Sequence, residues 1–339
     1  LVLFFKKELL PSSMKPAIVG IGGLTLCPEE AACLAEHRPA GVILFARNVQ
    51  DPVQLGAVVR SLRNVLPEHA VLMVDQEGGR VARLRPPHWR AHPAARSIGD
   101  LGGAASVRAA WLTGALIGLD CADAGFDVVA APVLDVASPD GHDVIGDRAF
   151  ADEPERVALL GRAFADGLLA AGVQPVGKHA PGHGRARADS HVELPVLDDV
   201  DAADLLPFAR NADLPWLMTA HVRYTLRDMN HPATQSRIII DGVIKATGFG
   251  GVLVSDDLAM QALSGSAPER ALAALAAGCD IALHCSGKIE DMRGVLACLD
   301  DAPAVTLGRL EAARRRAAAS RVVLDADALA AERDWLMGA

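Results

Sequence analysis

Residues 251–257 read GVLVSDD, an uninterrupted apolar run that stops at a serine and two aspartates. Alternation of apolar and polar residues marks a strand with one wet face, whereas a continuous run marks a strand covered on both faces, as in a parallel sheet. Seven further runs have this form: AIVGIGG (17–23), GVILFA (41–46), AVLMVDQ (70–76), DVVAAPVLDV (127–136), QPVGKHA (174–180), WLMTAHV (216–222) and DIALHCS (280–286). Between them lie amphipathic stretches with helix punctuation. In DEPERVALLGRAFADGLLAAG (152–172), Asp152 is placed to cap, Pro154 and Glu155 to form the first turn, and Gly172 to stop the helix. Eight such strands alternating with helices, without a linker or a break in composition, predict a single-domain (β/α)8 TIM barrel. A doubly wound parallel sheet is the alternative.

The barrel reading carries its own check. Chemistry in these barrels sits at the C-terminal ends of the strands, so the hydrophobic runs should end, not begin, in polar residues. Asp75 and Gln76 end the third run, Asp135 the fourth, Lys178 and His179 the fifth, His221 the sixth, Asp256 and Asp257 the seventh, and His284 the eighth. Six runs ending this way predict one shared polar pocket, with Arg47 and the glycines of the first run on its rim.

Composition bounds the partners. The chain has 339 residues, is 51% hydrophobic and 22% charged, and carries a net charge of −9. That balance supports a large core and argues against a nucleic-acid footprint. No basic block suggests an anionic membrane partner, and no run is apolar enough over sufficient length to span a bilayer. A small-molecule partner fits best; oligomeric state is not legible. The six cysteines are scattered with no C-x-x-C pair, which reads as buried free thiols in a reducing cytoplasm. Residues 1–13 read as an upstream extension and 14–339 as the barrel with C-terminal helices, and the arginine-rich stretch 310–321 reads as a solvated helix face.

One segment concentrates chemistry. GKHAPGHGRARADSHVELP (177–195) holds three histidines, a lysine and an aspartate in a Gly- and Pro-broken stretch. A metal site needs converging ligands, but Lys178, Arg185 and Arg187 oppose a further cation, and no metal is expected. A phosphate cradle would need a Gly-rich spacing that is not present. Proton transfer is the remaining reading: Asp189 and His191 are two apart, so in an extended loop the carboxylate can hold one imidazole nitrogen and leave the other to exchange a proton. A capped turn would use the same Asp-Ser-His residues.

The stretch KHAPGHGRARADSHVELP closely resembles the K-H-F-P-G-H-G, D-S-H and L-P motif of glycoside hydrolase family 3, in particular its bacterial β-N-acetylglucosaminidases. Further matches follow in order: GVILFARN (41–48), DQEGGRVARL (75–84), APVLDV (131–136), VIGDRAF (144–150), MTAHVRY (218–224) and GVLVSDDLAM (251–260). They cover nearly the whole barrel. Two departures, Ala180 where phenylalanine is common and Arg185 where aspartate is frequent, touch loop shape and not a catalytic position.

The resemblance implies a cofactor-free, retaining, exo-acting β-N-acetylglucosaminidase acting on GlcNAc-1,6-anhydro-muramyl (peptide) fragments in cell-wall recycling. It implies Asp256 as nucleophile, His191 with Asp189 as the acid/base pair, and Asp75, Arg83, Arg148, Lys178 and His179 as amino-sugar-binding residues. A GlcNAc phosphorylase, a metal-dependent hydrolase and a non-catalytic amino-sugar-binding protein are the alternatives.

Overall fold

The computed structural model describes residues 13–190 and 192–338. His191 and residues 1–12, most of the expected N-terminal extension, therefore lie outside the described residues. Eight parallel strands form the centre: β1 (Lys15–Gly20), β2 (Pro39–Leu44), β3 (Val71–Val74), β4 (Val128–Val129), β5 (Gln174–Ala180), β6 (Trp216–Thr219), β7 (Val252–Val254) and β8 (Ala282–His284). Their order is β8-β1-β2-β3-β4-β5-β6-β7. The bridge between Val254 and Ile281, with the Ser255 N–H donating to the Ile281 carbonyl at 3.0 Å, joins β7 to β8 and closes the ring. The fold is the (β/α)8 TIM barrel, and the doubly wound alternative is set aside because an open sheet has no such seam.

Each of the eight expected runs coincides with one strand, with β1 and β2 starting two residues ahead of theirs, at Lys15 and Pro39. The fourth is the most shortened, because Pro132 has no N–H to offer. The ladder nevertheless resumes beyond it, where the Leu134 N–H donates to the Lys178 carbonyl at 2.6 Å. The helix expected after the fourth run spans Pro154–Ala170, and its capping position is Glu153, without a side-chain cap, rather than Asp152. The proline favours the first helical position, which makes the residue just before it the cap. Gly172 ends this helix as expected, at φ +88°.

Strand parity divides the apolar residues into two cores. One cluster fills the barrel with Ile18, Ile43, Met73, Val128, Val176, Met218, Val254 and Leu283, and Leu307 and Ala313 join it from the helix Ala304–Ser320. The other packs the outward residues, such as Val19, Val42, Leu72, Val129 and Leu253, against the surrounding helices. Continuous hydrophobic runs are the sequence form of this double burial. The arginine-rich helix is thus not wholly solvated: Ala313 and Ala317 are buried, while Arg314 and Arg315 pair with Glu311 and Arg316 pairs with Asp213. Of the six free cysteines, Cys33, Cys121, Cys279 and Cys285 are buried, and Cys27 and Cys298 are half-buried.

Asp280 ties this lower part together. Its carboxylate, 5% exposed, accepts from the Leu253 N–H at 2.9 Å, the Thr306 hydroxyl at 3.0 Å and Arg309 at 2.7 Å. Asp280→Ala strands all three donors, so chemical denaturation should show a stability loss of about 3 kcal/mol. A loss below about 1 kcal/mol would mean that the bottom of the barrel holds without this junction.

Candidate active site

The cleft at the C-terminal mouth of the barrel encloses about 740 Å³ of space open to solvent. Its lining includes Asp75, Arg83, Arg148, Lys178, His179 and Asp256. The structure thus brings together every described residue that the sequence assigned to catalysis or sugar binding, apart from Asp189.

Parity explains the placement of the aspartates. Met73 of β3 and Val252 and Val254 of β7 face the barrel interior, so the next inward positions are Asp75 and Asp256. Lys178 follows Val176 by the same rule. His179 also reaches the cleft, since the pairing of β5 with β6 shifts register between Gly177 and Ala180. Parity equally removes one expected rim residue. Leu283 and Cys285 point inward, so His284 turns outward, 3.0 Å from the Ser286 hydroxyl and 3.5 Å from Asp291.

Other strand-end residues support the cleft from behind. Gln76 folds the following loop back on itself, its side-chain oxygen accepting from the Arg83 and Leu84 N–H groups at 2.7 and 3.1 Å. This turn carries Arg83 to within 3.3 Å of Asp75. Gly78 permits the turn: its φ is +98°, and a β-carbon there would lie 2.4 Å from the Pro93 carbonyl. Asp257 caps backbone, accepting from the Ala259 and Cys285 N–H groups at 2.8 and 2.9 Å. His221 is fully buried and its Nε2–H donates to the Asp257 carbonyl at 2.9 Å.

The charges interlock. Lys178, 2% exposed, lies 2.9 Å from Asp75 and 2.6 Å from Glu77. Arg148 donates to both Glu77 oxygens at 2.8 Å in a bidentate fork. Burial opposes ionisation of Glu77, but Arg148 and then Lys178 outweigh it and hold its carboxyl well below the usual range. Asp75 is held down likewise, against burial, by Lys178 and Arg83. Glu77 stands in the quoted DQEGGRVARL, but its role shows only through partners 71 and 101 residues away in sequence.

Asp135 is the second residue whose role the sequence did not disclose. Fully buried, it accepts from His179 Nδ1–H at 2.6 Å and from the His183 N–H at 2.7 Å. The other face of His179, Nε2, meets an Arg148 nitrogen at 3.5 Å. With Nδ1–H donating to Asp135, a guanidinium at that distance favours the tautomer that leaves the lone pair on Nε2. Burial opposes ionisation of Asp256, yet His221, His179, the Asp257 N–H and Lys178 together pull its carboxyl down to about 2. It is therefore a carboxylate throughout the physiological range. Asp189 is half-buried, and its geometry with His191 lies outside the described residues.

Residues 19–323 match the glycosyl hydrolase family 3 N terminal domain. The chain belongs to glycosyl hydrolase family 3. It is 40% identical over 304 residues to a Beta-hexosaminidase of Tolumonas auensis, covering 85% of this chain and 86% of that one. A Beta-hexosaminidase of Pseudomonas aeruginosa is 42% identical over 279 residues, 80% and 82% of the two chains. NagZ from Neisseria gonorrhoeae, solved in complex with N-trifluoroacetyl-D-glucosamine, superposes with a TM-score of 0.78 at 29% identity, covering 97% of this chain and 99% of that one. A family 3 β-N-acetylglucosaminidase from Paenibacillus superposes with a TM-score of 0.85 at 28% identity, over 95% of this chain and 66% of the other. This family 3 chain is a glycoside hydrolase of the β-N-acetylhexosaminidase type.

Asp75, Glu77, Asp135 and Asp256 all have carboxyls depressed below their unfolded values. Between about pH 2 and pH 4 the unfolded chain binds more protons than the folded one, so stability falls with pH there and is fully present above about pH 5. Urea midpoints measured from pH 6 to pH 3 should drop most steeply below about pH 4. Midpoints constant across that range would show that these carboxylates are not stabilised in the fold.

Proposed function

We propose that the protein is a retaining exo-β-N-acetylglucosaminidase that removes terminal GlcNAc from peptidoglycan-derived GlcNAc-1,6-anhydro-muramyl (peptide) fragments in the cytoplasm. The observation that carries the reading is the Asp256 carboxylate, which lines the same cleft as Asp75, Arg83, Arg148, Lys178 and His179 and is held low by the groups around it. Asp256 attacks the anomeric carbon while the bond to the leaving oxygen breaks, and His191 gives that oxygen its proton. Water then attacks the same carbon, its proton passes to His191, and Asp256 is released. Two inversions leave the configuration retained. Asp189 orients the His191 imidazole.

Asp75 and the Nε2 lone pair of His179 accept from sugar hydroxyls, and Arg83, Arg148 and Lys178 donate to hydroxyl and acetamido oxygens. The Arg83 Nε–H supports this: it is buried without a hydrogen-bond partner among the described residues, and such a donor is costly unless a ligand takes it up. The charge balance weighs against phosphorolysis. Among the described lining residues Asp75, Glu77, Asp256 and Asp257 stand with Arg83, Arg148 and Lys178, which leaves little positive charge for a phosphate dianion.

The test is cleavage of a nitrophenyl β-GlcNAc glycoside. The expected result is release of free GlcNAc in phosphate buffer and with chelator alike, with the matching β-glucoside much poorer. Asp256→Ala should lose at least about 10⁴-fold in kcat, while Asp257→Asn, at a carboxylate that accepts from the Ala259 and Cys285 N–H groups, keeps measurable turnover. Release of GlcNAc-1-phosphate would replace hydrolysis by phosphorolysis, loss of activity with chelator would make the reaction metal-dependent, and an active Asp256→Ala would move the nucleophile elsewhere.

A further inference from the structure

The segment that carries Asp189 and His191 is joined to the sugar-binding residues by a chain of buried contacts. Its base is fixed to the barrel. The Tyr224 hydroxyl donates to the Gly182 carbonyl, Arg185 pairs with Asp204 at 2.6 Å, and the His183 N–H is held by Asp135. From this base the His183 ring reaches across seven residues, its Nε2 lying 3.1 Å from the Ser190 hydroxyl. His183 is 2% exposed and Ser190 3%, so the pair is shielded from competing water. Both residues line the cleft. Burial pushes the His183 imidazole down to about 4, which keeps it neutral and able to share one proton with Ser190.

We propose that the Ser190–His183 hydrogen bond is a latch that fixes the described end of this segment at the cleft, which makes Ser190 and His183 positioning residues for the proposed proton transfer by the Asp189–His191 pair. Asp135 holds both His179 and His183, so the residue that meets the sugar and the one that tethers the loop share a single anchor. Ser190 lies between the two members of the acid/base pair, and a shift of about 1 Å in such a group costs on the order of 100-fold in rate. The inference rests on the proposed role of His191.

The experiment compares Ser190→Ala, Ser190→Thr, His183→Ala and His191→Ala on GlcNAc glycosides whose leaving groups range from dinitrophenol to an alkyl alcohol. Protonation matters only for poor leaving groups. Ser190→Ala is expected to lose about 10–100-fold in kcat/KM on the alkyl glycoside and little in the first-turnover burst on the dinitrophenyl one, with an unchanged melting temperature. Ser190→Thr, which keeps the hydroxyl, should recover much of the loss, and the Ser190→Ala/His183→Ala double variant should be no worse than the more damaged single variant. If His191→Ala shows the steep leaving-group dependence and Ser190→Ala shows none, the latch is wrong while the acid/base reading stands. If His191→Ala itself loses equally on all substrates, the acid/base reading fails first. An equal loss for Ser190→Ala on every substrate would make its hydrogen bond merely structural and overturn the proposal.

Discussion

The site depends on one buried cation. The Lys178 ammonium sits at the end of an inward-facing strand position, almost wholly removed from water, and a charge in that position is stable only with partners. Asp75 and Glu77 supply them, and each carboxylate is in turn held by an arginine, Arg83 for Asp75 and Arg148 for Glu77. The five groups come from β5, from the segment following β3 and from the turn before residue 150. A web of this kind is weak evidence for stability, since well-packed apolar residues would serve the fold as well or better. Its value lies in fixing donors and acceptors around the space where a sugar would sit, so that little reorganisation is needed on binding.

Asp135 performs the corresponding task on the other side of the cleft. It sets the tautomer of His179 through Nδ1 and fixes the start of the 181–190 segment through the His183 N–H. Behind Asp256, the buried His221 fixes the Asp257 backbone, and Asp257 in turn caps the chain at Cys285. Asp135 and His221 are thus buried supports that do not themselves line the cleft. The support is rigid because the strands beneath form a closed ring with both faces packed.

Much of the barrel was legible in the sequence because double burial writes a distinctive pattern: GVLVSDD and its seven counterparts are continuous, and six of the eight end in polar groups. The same continuity conceals parity. Nothing in DIALHCS tells whether His284 or Cys285 faces the cleft, and the register of β8 decides for Cys285. Glu77 and Asp135 stood in motifs that the sequence marked, but their functions are defined by partners far along the chain, which spacing does not encode. Local chemistry was read less well where one residue displaced another, as Pro154 made Glu153, not Asp152, the capping position. The Asp189–His191 pair remains a reading from spacing and family resemblance.

The central claim is that Asp256 forms a bond to the sugar. The most direct measurement is to mix the His191→Ala enzyme with a dinitrophenyl β-GlcNAc glycoside, quench at short times, digest with a protease and map the modified peptide by mass spectrometry. Formation of the intermediate needs no acid with this leaving group, and its hydrolysis is slowed without the base, so the adduct should accumulate. The account predicts one N-acetylhexosamine unit on the peptide that contains Asp256. Efficient turnover with no adduct at any time, or an adduct on a different carboxylate, would contradict it.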